Sequence, residues 1–476
     1  MNPLSSIIST LLFLFFLLPC SLLLADETLQ GCFQDQLGSS SQEIVHTPNT
    51  DFYSSLFQLS IRNLRFASSS TSGPLLIVAP TNETHIQASI ICCKKHGTQV
   101  RVRSGGHDFE GLSYTSADPF VLIDLSRLNS VSIDIEDGTP WAQAGATLGE
   151  VYYSIAEESS TLGFPAGYCH TVGVGGHLSG GGVGNMMRKY GLAADNILDA
   201  KMIDVNVRIL DRIAMGEYPF WALRGGGGSS FGVIIFSWKI KLVPVPNTVT
   251  ICNIAKNREE GATDLVYKWQ NIASQIHENI YLAVTIQAAN ATDDQMTIRA
   301  SFRALALWGA NETLPVIHNH FPELGLEPKH CTEMGWIQSR LLYAGLPVGS
   351  PTKVLLDRSS PSGKGFLYNI QYLSGWQDSG EVKRKMRWVR KLYKYMTPYV
   401  SKFPRGQYIN TKDLDLGKND PVKPSYTEAR VWGEKYFGAN FRRLALVKDK
   451  IDPENFFRNE QIKHPTSSTG SVWYCC

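Results

Sequence analysis

The residues best placed to do chemistry sit in glycine-dense turns. Ser104-Gly105-Gly106-His107 sets an imidazole directly after two glycines, and the stretch Gly167 to Gly184, GYCHTVGVGGHLSGGGVG, carries a thiol at Cys169. A third run, Arg224-Gly225-Gly226-Gly227-Gly228, follows further along. Only glycine removes the Cβ barrier and tolerates positive φ, so this density in a folded chain implies backbone that approaches something closely. Unpaired amides in such turns form anion-binding nests, which makes the backbone N–H groups of Ser104 to His107 and of Gly173 to Gly176 candidate anion holders. Any one run alone reads as a turn, whereas three bracketed by strands read as a cofactor cradle. None is a dinucleotide fingerprint. From Gly173 the pattern GVGGHL lacks the third glycine of G-x-G-x-x-G, and no P-loop lysine follows a glycine-rich turn.

Certain elements must hold these turns in place. Leu75 to Ala79 is an apolar run ending at Pro80, Glu83 to His96 is helical with Gly97 as its C-cap, and Gln99 to Arg103 alternates as a strand. This predicts a β-α-β unit whose second strand runs straight into Ser104-Gly105-Gly106-His107, at the strand end where α/β proteins bind ligands. Val131, Ile133 and Ile135 alternate as a strand, and Thr147-Leu-Gly-Glu150 is a capping box that starts a helix through about Glu158. Strands at Asp204 to Leu210 and Val233 to Phe236 flank the third glycine run. Beyond about Pro244 longer mixed segments indicate a second, substrate-shaping domain. Val382 to Met396 is strongly basic, yet Val382, Met386, Val389 and Tyr393 recur at helical spacing, which predicts a packed helix with a solvated Lys/Arg face.

At 476 residues with 43% apolar content the chain has room for two or three domains. Lys+Arg 45 against Asp+Glu 43 leaves +2, which gives no electrostatic mandate for nucleic acid or anionic membrane and favours a small-molecule partner. Ile7 to Ala25 reads as a secretory signal cleaved near Ala25, although no Lys or Arg precedes it. Secretion agrees with three glycosylation sequons at Asn82, Asn290 and Asn311. The cysteines beyond the signal lack zinc-site spacing, so no metal site is expected, and one or two disulfides are.

The stretches RSGGHDFEGLSY (Arg103 to Tyr114), GYCHTVGVGGHLSGGG (Gly167 to Gly182), MRKYGLAADNILDA, FWALRGGGGSSFGV and the terminal WGEKYFGANFRRL with DPENFFRNEQ resemble the plant berberine bridge enzyme-like family of secreted FAD-linked oxidases. The resemblance runs through nearly the whole chain in order. It implies FAD bonded twice, through His107 to the flavin 8α-methyl carbon and through Cys169 to flavin C6. It places Ser104, Gly105, Gly106, Gly173, Gly175 and Gly176 at the cofactor, brings Asn459 and Gln461 back onto it, and puts Val172 where the family carries its oxygen gate. A valine there resembles the oxygen-reactive members, so O2 is the expected acceptor. Tyr114 and Tyr190 match family active-site tyrosines, with Lys189 as a cation that would lower a pKa, and Gln371 matches a substrate-side strand position beside Asn369. Cys32 and Cys92 match a family disulfide, with Cys93 as a neighbour that could compete for pairing. Cys252, Cys331, Cys475 and Cys476 receive no role.

The implied fold is α+β: a PCMH-type FAD-binding domain of two α/β subdomains over 26–246, an antiparallel-sheet substrate domain over 247–406, and a C-terminal segment over 407–476 returning to the flavin. Two departures stand out. Where the family reads N-Y-R-D-L-D with a tyrosine base, this chain has Asn410-Thr411-Lys412-Asp413-Leu414-Asp415, and a threonine hydroxyl cannot serve as a base near neutral pH. Relatives also continue for tens of residues after Arg358 before the LYNIQY strand, whereas here only Ser359 to Phe366 intervene. Smaller departures are His170, where proline is usual, and Val207, where glycine is usual. The expected function is a secreted, cell-wall or vacuolar, monomeric oxidase that moves a hydride from an alcohol-type carbon of a monolignol-like metabolite or carbohydrate to FAD and then to O2, giving H2O2. The contrasting expectation is a flavoprotein disabled by Thr411 and the shortened domain.

Overall fold

The structure is a computed structural model that describes residues 28–67, 71–134, 137–228, 232–290, 296–358, 379–400, 406–420 and 425–461. The signal segment, Gln371, Asn369, the Ser359 to Phe366 stretch, Cys475 and Cys476 lie outside the described residues.

The first sheet runs in the order β1-β2-β4-β3, from β1 (Val45–His46), β2 (Leu76–Val78), β3 (Gln99–Arg103) and β4 (Phe120–Asp124). Strands β2 and β3 both lie parallel to β4, with the helix Glu83–Lys95 as the crossover. The β-α-β reading therefore holds, and Gly97 follows the helix at φ +63°. Asn82 caps that helix, its Oδ1 accepting from the amides of Thr84 and His85. The Cys32–Cys92 disulfide ties the N-terminus to it. Cys93 stays a free, fully buried thiol whose pKa burial pushes up, so it does not compete for pairing.

The second sheet has the order β5-β6-β10-β8-β9, built from β5 (Val131–Ser132), β6 (Trp141–Gln143), β8 (Ile197–Asp204), β9 (Ile209–Leu210) and β10 (Val233–Ile240). The predicted strand at Asp204 to Leu210 is instead the hairpin end between β8 and β9. Its turn puts Val207 at φ +66°, a conformation that suits the glycine the family has there. The predicted capping box is present: Thr147 Oγ1 accepts from Glu150 N, and Glu150 Oε2 accepts from Thr147 N at 2.7 Å, starting the helix Leu148–Glu158. A short ladder pairs β7 (Leu162–Gly163) with β11 (Val243–Pro244).

The third sheet is antiparallel, in the order β13-β14-β12-β15, with β12 (Val249–Asn257), β13 (Ile280–Asn290), β14 (Met296–Ala306) and β15 (Cys331–Met334). Directly opposed Cys252 and Cys331 form a second disulfide, which assigns the two cysteines that the sequence left without a role. Trp269, Phe302 and Phe321 fill the core under this sheet, while Val249, Ile251 and Leu305 share the core of the second sheet. The architecture is α+β, as expected. The helix Val382–Met396 forms, but it departs from the packed helix expected, because none of its residues is fully buried.

Candidate functional site

The site is built outward from the end of β3. Arg103 is fully buried and fully engaged: Nε donates to Asp124 Oδ2, Nη1 to the Phe57 carbonyl and Nη2 to the Leu56 carbonyl. A guanidinium satisfied on every side fixes the strand end, and with it the turn that follows. That turn needs its glycines. A Cβ on Gly105 would lie 2.3 Å from Gly173 N, and one on Gly106, at φ +70°, would lie 1.8 Å from the Ser60 carbonyl oxygen. The first two glycine runs are therefore in direct backbone contact. Ser104 Oγ and the Gly175 amide both donate to the Ala144 carbonyl, which locks the same junction. The third run joins through Gly225 and Gly227, whose amides donate to the Ser179 carbonyl at the end of the helix Val174–Ser179.

Among the described residues, the amides of Gly105, Gly106 and His107 reach no backbone acceptor, and a Cβ on exposed Gly176 would meet nothing within 4 Å. An uncovered nest and an open glycine face fit an anionic cofactor such as the FAD pyrophosphate. The second nest is narrower than the sequence implied. The amides of Val174 and Gly175 are engaged by the Ala146 and Ala144 carbonyls.

His107 Nε2 lies 3.1 Å from Thr171 Oγ1. Burial, reinforced by the Arg62 charge, pushes the His107 pKa down to about 3, so the imidazole is neutral and nucleophilic at physiological pH. In the tautomer that donates from Nε2 to Thr171, the other ring nitrogen, Nδ1, carries the lone pair. Thr171 belongs to a tight turn closed by the Val172 amide donating to the Cys169 carbonyl at 3.1 Å. Cys169 is a half-buried cysteine in no disulfide, two residues from Thr171 and within about 7 Å along the chain. The hydrogen bond thus brings the His107 turn against the Cys169 turn. Nothing in the sequence marked Thr171, although its hydroxyl two residues after the thiol could have been tested as a partner.

The C-terminal segment docks on the same loop. Tyr408 OH accepts from the amides of Gly182 (3.0 Å) and Val183 (3.2 Å), and Asn410 Nδ2 donates to Tyr408 OH (2.8 Å) and to the His177 carbonyl (3.1 Å). His177 Nε2 in turn accepts from the Gly167 amide at 3.0 Å, and burial pushes its pKa down to about 4. Gln461 is fully buried in this segment: Nε2 donates to the Asp413 and Gly417 carbonyls, Oε1 accepts from Tyr436 OH, and its carbonyl accepts from Trp432 Nε1. Asn459 Oδ1 accepts from the Gln461 amide. Both residues hold the returning segment together. Thr411 Oγ1 donates to the Tyr408 carbonyl.

The two expected tyrosines sit in different surroundings. Tyr114 is fully buried in a core with Tyr53, Ile77 and Phe120, its ring edge-on to Phe66, and burial pushes its pKa up to about 12. Tyr190 OH donates to the Pro244 carbonyl at 2.6 Å. Lys189 stands 5.4 Å over the Tyr190 ring, yet burial and then Glu278 raise that tyrosine's pKa, so the lowering expected from the lysine does not occur. Neighbouring Arg188 donates to the Ser274 and Ile276 carbonyls at the end of the helix Ala262–Gln275. Through Arg188 and Tyr190 the Met187–Tyr190 motif clamps the second sheet's core to the third sheet.

With this geometry in hand, comparison with known proteins gives a consistent result. A family model described as an FAD binding domain matches residues 74–211, and one described as berberine and berberine like matches residues 407–462. Tetrahydroberberine oxidase of Berberis wilsoniae is 43% identical, covering 98% of this chain and 99% of that protein. That alignment spans 526 positions against 476 residues here, so at least 50 positions of it have no counterpart in this chain. The structure of the Arabidopsis thaliana berberine bridge enzyme-like protein 28 superposes with a TM-score of 0.85 at 38% identity, over 93% of this chain and 100% of that one. The grass pollen allergen Phl p 4, with glucose dehydrogenase activity, gives 0.84 at 39% identity over 92% and 99%. An isoleucine-to-valine variant of that allergen is a glucose oxidase.

Proposed function

Because the chain belongs to the berberine bridge enzyme-like family of FAD-linked oxidoreductases, we propose that it is an oxidase of alcohol-type carbons that holds its FAD through both His107 and Cys169. The observation that supports this reading is the 3.1 Å contact of His107 Nε2 with Thr171 Oγ1, which brings a neutral imidazole and a cysteine outside any disulfide to one glycine-lined site. When bound, the isoalloxazine supplies the hydride acceptor. The chain's own residues do the rest. Neutral His107 offers Nδ1 as a nucleophile, Cys169 offers sulfur, and the turn of Gly105 to His107 offers amides to phosphate oxygens. Half-buried Val172 lines the same turn. In the pollen allergen an isoleucine-to-valine change accompanies oxidase activity, which supports O2 as the acceptor here, with H2O2 as product. The substrate is an alcohol of a plant metabolite or a sugar.

In this reading the FAD-binding domain spans 26–246, the substrate domain 247–406 and the returning segment 407–476, after a signal at 1–25. The mature protein is a secreted monomer glycosylated at Asn82, Asn290 and Asn311. A second reading has its own support. Thr411 is no base, Tyr114 is buried, the Tyr190 hydroxyl is held by the Pro244 carbonyl, and at least 50 positions of a full-length relative are missing; in this reading the chain is a flavoprotein with impaired turnover. One experiment separates them. Tryptic mass spectrometry reads adducts on the His107 and Cys169 peptides, and anaerobic titration with alcohols and sugars reads bleaching. Adducts with bleaching support the oxidase, adducts without bleaching support the impaired flavoprotein, and no adduct on either peptide overturns both.

A further inference from the structure

Among the described residues, four Lys or Arg side chains are buried: Arg101, Arg103, Lys448 and Arg340. The first three pair with the carboxylates of Glu460, Asp124 and Asp452 respectively. Arg340, fully buried on the helix Trp336–Tyr343, has no carboxylate partner among the described residues. Its Nη1 donates to Asn185 Oδ1 at 2.6 Å, and its Nε and Nη2 both donate to Ser339 Oγ, at 3.3 and 3.1 Å. The Trp336 and Tyr343 ring centroids lie 5.4 and 5.6 Å from its Cζ. Burial pulls the Arg340 pKa down, yet a guanidinium starts so high that it stays charged. Burial pushes the Tyr152 and Tyr343 phenols up, so neither supplies the missing negative charge near neutral pH. Taking an unpaired charge out of water is costly, and the ring faces offset only part of that cost. Uncompensated charges of this kind concentrate at functional sites.

Arg340 holds both ends of the segment that carries Cys169. It reaches the Tyr152 hydroxyl, which donates to the Gly167 carbonyl two residues before Cys169, and Tyr152 also interacts electrostatically with Cys169. The Tyr343 ring packs against Tyr168, one residue before Cys169, with centroids 5.2 Å apart. Asn185 follows Gly184, where a Cβ would lie 2.1 Å from the Ala166 carbonyl oxygen. The guanidinium therefore stands one phenol away from the Cys169 turn.

We propose that Arg340 is the positive charge that favours the reduced form of the flavin held at Cys169, acting across Tyr152 and the cysteine turn as a positioning residue that does not itself touch substrate. The proposal rests on the reading of Cys169 as a flavin anchor. When an alcohol-type C–H bond breaks, its electron pair and proton pass together to the flavin, the hydroxyl proton leaves to solvent, and the site gains one negative charge. Reoxidation passes that electron pair and proton to O2, which takes one more proton from solvent and leaves as H2O2. A fixed cation in buried surroundings stabilises the added charge far more than it would in water.

The test measures the flavin midpoint potential of the full purified protein by equilibration with a reference dye, with peptide mass spectrometry reading flavin on Cys169. Arg340→Gln removes the charge while keeping a donor for Asn185. Asn185→Asp keeps the guanidinium and supplies the carboxylate that it lacks. Both are expected to shift the flavin–dye equilibrium at least about tenfold toward oxidised flavin, a fall of about 30 mV for a two-electron couple. Ser339→Ala loosens the side chain without touching its charge and is expected to leave the equilibrium unchanged. A merely structural Arg340 predicts the opposite order, because N185D tightens its hold and S339A weakens it. If one charge variant loses its flavin, the other decides. A parental potential in a charge variant that keeps its Cys169 adduct, or a fall in S339A as large as in N185D, overturns the proposal alone. Absence of flavin from Cys169 in the parental protein overturns the anchor reading and the proposal with it.

Discussion

At the scale of single residues the site depends on one hydroxyl. Thr171 holds the His107 ring, and a neutral–neutral hydrogen bond contributes about 1 kcal/mol, enough for a several-fold change in ring population. Thr171→Val is expected to lower the fraction of protein carrying the histidyl–flavin bond about fivefold while leaving the cysteinyl bond, as read by peptide mass spectrometry. An unchanged ratio of the two adducts would show that Thr171 does not orient the imidazole. Val172 sits in the same turn, where one extra methylene or a shifted branch alters the space next to the ring. Val172→Leu is expected to slow reoxidation of the reduced protein by O2 at least about tenfold in stopped-flow, with anaerobic reduction unaffected; parity in both half-reactions would remove Val172 from gating.

At the scale of elements, the β8–β9 turn carries a conflict between sequence and geometry. Val207 sits at φ +66° because the turn is fixed on both sides: its amide donates to the Asp204 carbonyl at 3.0 Å, and Arg208 N donates to Asp204 Oδ1 at 2.9 Å. A β-branched residue in the left-handed region costs about 1–2 kcal/mol, so Val207→Gly is expected to raise the unfolding free energy by about that amount in a denaturant titration, against the usual loss for a glycine substitution. The sequence already marked Val207 as out of place, and it also showed the β-α-β unit, the Thr147 capping box and the glycine cradle. These are local signals: period-two strands, a hydroxyl three residues before a carboxylate, runs without Cβ. Thr171, Tyr408, Arg188 and the Cys252–Cys331 pair were not legible, because each acts on a partner tens or hundreds of positions away. The burial of Tyr114 and the hydrogen bond of Tyr190 to the Pro244 carbonyl were not legible either, since a motif match does not say which way a ring faces. Tyr408 shows what such long-range contacts do. Tyr408→Phe removes the acceptor for two loop amides, and a loss of about 1–3 kcal/mol with faster proteolysis of the C-terminal segment is expected. Proteolysis at the parental rate would mean that Asn410 and Gln461 suffice to dock it.

At the scale of the molecule, five histidines share one sign. His46, His85, His107, His170 and His177 all have their pKa values lowered from 6.5, with burial the leading cause in each. The unfolded chain therefore takes up protons near pH 6.5 that the folded chain refuses until about pH 4 at His177 and about pH 3 at His107. Stability is fully present above pH 6.5 and is lost as pH falls below it. Half-buried Glu110 and Asp413 oppose this trend, because desolvation raises their carboxyl pKa values. The histidine contribution falls below pH 6.5, and His107 leaves the set wherever it is bonded to flavin. His177 is the informative member. Protonating its Nε2 removes the acceptor for the Gly167 amide, and its carbonyl holds Asn410 of the returning segment, so acid strain at His177 reaches both the cysteine loop and the C-terminus. The melting temperature is expected to fall steadily from pH 6.5 to 5 by scanning calorimetry. His177→Gln keeps an amide acceptor without a proton to gain, and it is expected to flatten that slope while lowering stability at pH 7 only slightly. A parental protein with a flat profile across the window, or a variant as steep as its parent, would show that these rings are not held neutral by the fold.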